Sequence, residues 1–132
     1  MTLDDVQAVY AVIRREMEDI RAQTERRFGG EWRISLFAPI GGPEAAYARV
    51  KLYGSRPNNS AHVLIVQVLR RPPDLLLQAL VGTAACDGGW PVAAHKEAIA
   101  VPTDDPANVT ERFVRAQVAP FHTLVAEEEA AP

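Results

Sequence analysis

Residues 46–53, Ala46-Tyr47-Ala48-Arg49-Val50-Lys51-Leu52-Tyr53, place a small or aliphatic side chain at every second position. A repeat of two is that of an extended strand, whose successive side chains leave opposite faces of a sheet. Ala46, Ala48, Val50 and Leu52 therefore share a face suited to a core. Tyr47, Arg49, Lys51 and Tyr53 share the other.

The pattern extends in both directions. Upstream, Trp32-Arg33-Ile34-Ser35-Leu36-Phe37 alternates in the same way, with Trp32, Ile34 and Leu36 on the core side. Downstream, His62 to Leu69 is apolar on both faces, as in a central or covered strand. The stretches between them, residues 39–43 and 54–60, are rich in Gly, Pro, Asn and Ser and short enough for hairpins. The three strands are thus expected to run antiparallel.

Before them stands a long helix. Thr2 and Asp5 have the spacing of a capping box, with Asp in place of the usual Glu. Leu3, Val6, Tyr10, Ile13, Met17, Ile20 and Thr24 recur at steps of three and four, with Val9 and Val12 widening the seam. Arg14/Glu18, Arg15/Asp19 and Arg21/Glu25 sit four apart on the other side. Gly29-Gly30 supplies the stop. A helix of this length, roughly 39 Å, is longer than the expected diameter of the globule, about 28–36 Å. Its seam either crosses the sheet diagonally or pairs with a second copy, in which case Tyr10, Ile13, Met17 and Ile20 form a dimer interface.

After the third strand, Arg70-Arg71-Pro72-Pro73 ends the run. The spacing of Leu75, Ala79, Leu80 and Thr83 or Ala84 predicts a short middle helix over 74–85, although Leu-Leu-Leu and Val-Gly-Thr are also compatible with a strand. Asp87-Gly88-Gly89 reads as a turn and 90–101 as one further strand or two short ones. Asp104-Asp105-Pro106 opens a last helix that buries Val109, Phe113, Val114, Val118, Phe121 and Val125, and Pro120 is expected to kink it. The expected architecture is α+β: a long N-terminal helix, an antiparallel sheet of about four to five strands, a short middle helix and a C-terminal helix. Residues 1–126 make one domain, and 127–132 a frayed acidic tail.

Net charge is -3, distributed unevenly. Residues 31–72 hold six basic and two acidic side chains, whereas 73–132 hold three basic and nine acidic. Such asymmetry marks either an anion-binding face or two parts that complement each other. The absence of a long apolar run, the acidic N-terminus and the lone Cys86 point to a cytoplasmic chain that does not enter a membrane.

Motifs for chemistry are missing. His62, His95 and His122 lack the spacing of a zinc site, no phosphate loop or nucleophile elbow occurs, and Cys86, Asp87, His95 and Glu97 each have an ordinary turn, strand or core reading. No catalytic residue, metal or cofactor is therefore assigned. The strongest constellation is the basic, aromatic sheet face of Arg33, Tyr47, Arg49, Lys51 and Tyr53, with Ser35 and Phe37 beside it. Cations interleaved with aromatic rings suit phosphates and bases, or an acidic protein; Arg, Lys and Tyr are also common on any solvated sheet face.

Element order, size and acidity resemble those of small secretion chaperones, a likeness of fold that no residue motif carries. The functional expectation is a non-enzymatic, chaperone-like interaction module, homodimeric, holding a partner protein. The alternative is a binder of an anionic ligand, nucleotide or nucleic acid, through the basic face.

Overall fold

The computed structural model describes residues 3–37, 47–55, 60–71, 73–85, 91–102 and 104–130. Thr2, Cys86, the 87–89 turn, Trp90 and most of the first two interstrand connections lie outside them. The order is α1 (Leu3–Phe28), β1 (Trp32–Phe37), β2 (Tyr47–Ser55), β3 (Ser60–Arg71), β4 (Asp74–Ala85), β5 (Val92–Val101), α2 (Pro106–Ala116) and α3 (Val118–Ala130). The fold is α+β, with a five-stranded antiparallel sheet in the order β1-β2-β3-β4-β5.

The expected middle helix is instead β4. Leu75, Leu77, Ala79 and Val81 turn to the helices, while Leu80 and Ala84 are buried on the other side. A strand with apolar residues on both faces loses the contrast that marks period two, and its leucines then fall at helical spacing by coincidence. Arg71 pairs with Asp74, so the chain reverses at the point where the prolines were expected to end the sheet. The element order behind the likeness to secretion chaperones is thereby replaced by an uninterrupted five-strand meander.

Helix α1 stops where expected: Gly29 and Gly30 have φ of 70° and 82°, and the Gly29 amide donates to the Glu25 carbonyl at 2.9 Å. L-residues with a Cβ resist this left-handed geometry. Of the anticipated surface pairs, Arg21–Glu25 forms at 2.7 Å, whereas Arg15 reaches Glu16 and Glu111. The seam of α1 lies on β1–β3, and α3 packs on β3 and β4. Val6, Val9, Ile13, Met17 and Ile20 interlock there with Val50, Leu52, Leu64, Val66, Leu77, Phe113, Val114 and Phe121.

Trp32 joins the layers. Its indole N–H donates to the Gly29 carbonyl at 2.8 Å, and its ring meets Phe121 edge-on at 5.8 Å and stacks near His62 at 6.4 Å. The C-terminal helix bends at Gln117, as Pro120 requires: proline has no N–H, and its ring crowds the carbonyl four residues back, at Ala116. The Gln117 amide turns to Val114 at 3.0 Å, and its side chain donates to the Phe113 carbonyl at 3.0 Å and to Glu97 at 3.3 Å. Residues 127–130, expected to fray, continue α3. Among the described residues no helix is long and apolar enough to cross a membrane.

Candidate binding face on the open side of the sheet

With helices on one side, the strands present their alternate residues on the other. Register places these in rows. Phe37, Arg49, Gln67, Gln78 and Ala98 form one row, Ser35, Lys51, Ile65, Leu80 and Lys96 the next, and Arg33, Tyr53, Val63 and Gly82 a third. Among the described strand residues of this side, cations stand at Arg33, Arg49, Lys51, Arg71 and Lys96, against a single acid, Asp74, which is paired across from Arg71. The uneven charge of the sequence thus becomes a basic surface on a chain whose net charge is negative.

All five expected ligand residues, Arg33, Tyr47, Arg49, Lys51 and Tyr53, fall on β1 and β2 of this side. The Arg49 guanidinium sits 5.7 Å from the Phe37 ring centre and 5.8 Å from that of Tyr47, and these two rings are 5.6 Å apart. The Lys51 ammonium is 5.2 Å from the Tyr53 ring centre. Cation–π contact holds these heads in place along the sheet. Arg33 is bound by Glu31 through two hydrogen bonds of 3.1 and 2.8 Å, which hold its pKa above the ordinary value and partly compensate its charge. Arg49 and Lys51 stand side by side on β2, each beside an aromatic ring.

Between the ladder and the opposite edge lies a second apolar cluster, Ala61, Val63, Ile65, Leu80 and Ala84, with Tyr53 packed against it. Its edge opens into a hollow of about 440 Å³ whose described lining is Ile65, Gln67, Gln78, Ala79, Leu80, Lys96, Glu97 and Ala98. The Gln67 amide donates to the Gln78 side-chain carbonyl at 2.6 Å within it. Sequence reasoning missed this half of the face, because assigning 74–85 to a helix removes the strand that builds it.

The four residues read as a dimer interface on α1 all contribute to the chain's own core. Ile13, Met17 and Ile20 are 0–1% exposed and packed into the chain's own core, and Tyr10 is half-buried beside them. His122 is buried between α1 and α3, with Thr24 Oγ1 2.9 Å from its Nε2 and Arg27 3.3 Å from its Nδ1. His95 lies on the edge strand, 3.9 Å from Glu97, and His62 lies beside Trp32. Among the described residues no three His, Cys, Asp or Glu side chains gather as a metal site would need. A scan against protein-family models finds no match, and a search of the curated proteins finds none either.

Proposed function

We propose that this protein is a non-catalytic binding module that holds an acidic segment of a partner protein against the β1–β2 side of its open sheet face. The observation that carries this reading is the Arg49 and Lys51 ladder, two cations pinned over Phe37, Tyr47 and Tyr53 beside a buried apolar strip. Pre-positioned cations lose little side-chain freedom when an acid arrives, and the rings supply contact area around them. The reading does not use the α1 seam, whose residues serve the core.

A second reading keeps the same residues for a nucleotide or nucleic acid. The cations favour it equally; the rings favour it less, because Arg49 and Lys51 already lie over the faces on which bases would stack. Fluorescence anisotropy separates the two. A labelled glutamate- and leucine-rich peptide is expected to bind, to weaken with salt, and to be lost in the Arg49→Glu/Lys51→Glu double variant. Labelled single-stranded DNA is expected to bind more weakly than the peptide at the same ionic strength. A peptide that fails to bind wild type, or binds the double variant equally well, refutes the proposal.

A further inference from the structure

We infer that the hollow between β3, β4 and β5 is a binding site for a small amphipathic carboxylate, a molecule with an aliphatic or aromatic body and one anionic head. This inference concerns residues outside the β1–β2 ladder and stands independently of the reading given to it.

The lining specifies both halves of such a ligand. Ile65 and Leu80 are cross-strand partners and form an apolar floor, 6% and 9% exposed, with Ala98 leaving space above the edge strand. An apolar body laid against this floor takes its own surface out of water, a gain of about 25 cal/mol per Å². A volume of about 440 Å³ lies within the range of small-molecule sites, roughly 300–1,000 Å³.

The polar groups are few and set to one side. Strand alternation turns the side chains of Ala79 and Glu97 toward the helices, and the Glu97 carboxylate accepts a hydrogen bond from Gln117 there. These two residues meet the hollow through their backbone. Lys96, directly across from Leu80, is then the charged side chain that the described lining directs to the open side. One ammonium at the rim of an apolar floor complements one anion at the end of an apolar body. The Gln67–Gln78 pair borders the floor, and a carboxamide has two N–H donors, so one bond does not exhaust its capacity to meet a carboxylate oxygen.

The test uses the full chain and decanoate as the probe, below its micelle concentration, with decanol and decyltrimethylammonium as controls of the same chain length. Titration followed by methyl NMR is expected to move the Ile65 and Leu80 signals saturably with decanoate, with decanol at least fivefold weaker and the cation weaker still. Lys96→Gln is expected to bring decanoate down to the affinity of decanol. Ala98→Phe, at an exposed edge position, is expected to fill the space and weaken both. Arg49→Ala/Lys51→Ala is expected to weaken decanoate less than Lys96→Gln does, which separates this site from the ladder. Absence of saturable shifts at Ile65 and Leu80 in the wild-type chain, or equal binding of decanoate and decanol, overturns the inference whether or not the variants fold.

Discussion

The indole of Trp32 lies over the backbone of Gly54, its direct cross-strand partner, so closely that a Cβ at position 54 would stand 2.6 Å from the ring. No larger residue fits without moving the indole off Phe121 and the Gly29 carbonyl. Gly54→Ala is expected to destabilise the fold by about 1–3 kcal/mol, the usual cost of overpacking. Urea unfolding, with near-UV circular dichroism reporting displacement of an indole, measures both effects.

A second close approach holds the edge strand. The register shifts between Val81 and Gly82, leaving Ala94 as the extra residue of a bulge, and a Cβ at Gly82 would collide with the Val92 carbonyl oxygen. Gly82→Ala is therefore expected to loosen the start of β5 selectively. Hydrogen exchange should show faster exchange at 92–95 while β2 and β3 keep their protection.

Glu16 interrupts the apolar side of α1, 3% exposed, and meets Arg115 of α2 at 2.9 Å. Burial alone pushes its carboxyl up, but hydrogen bonds and charge from Arg115, with Arg15, outweigh burial and hold the pKa below the usual 4.5. A depressed carboxylate contributes stability that is complete above its unfolded value and is lost as pH falls through its folded one. Glu16→Ala is expected to cost about 1–3 kcal/mol at pH 7, with the gap to wild type narrowing below pH 4.5. Unfolding midpoints measured from pH 7 to pH 3 test this.

The Thr24 hydroxyl gives its proton to the Ile20 carbonyl at 2.7 Å and can only accept from His122. His122 is therefore the neutral Nε2–H tautomer, with Nδ1 accepting from Arg27. Burial, then the Arg27 charge, lowers its pKa below 6.5. The unfolded chain thus takes up the proton first. The His122 contribution is complete above pH 6.5 and declines as pH falls below it. Stability measured between pH 8 and pH 5 should fall in wild type and fall less in His122→Gln, and nitrogen-15 shifts should report the Nε2–H form.

The sequence revealed the parts of this fold that have one dry face. Tyr47–Tyr53 alternates because its outward residues meet solvent, β1 keeps its inward face at Trp32 and Ile34 while Leu36, expected on the core side, is 47% exposed, and α1 keeps its seam because its other side is charged. Segment 74–85 was obscured by being apolar on both faces, since Leu80 and Ala84 look no different in sequence from Leu77 and Val81. The ladder was legible because Tyr47, Arg49, Lys51 and Tyr53 belong to one strand. The hollow was not: Ile65, Gln78, Leu80 and Lys96 become neighbours only through two registers that no local pattern encodes. Glu16 and Thr24 were hidden for the same reason, their partners lying 99 and 98 residues away.

Those two long-range bonds bear on the order in which a growing chain completes itself. The strands pair with their immediate successors, and α1 can settle on β1–β3 as soon as these exist. The Glu16 carboxylate and the Thr24 hydroxyl must wait for Arg115 and His122, which follow all five strands in the chain. Because Arg115 belongs to α2, which packs on α1, the step that covers this acid also delivers its guanidinium, and the charge is not left buried alone on the way.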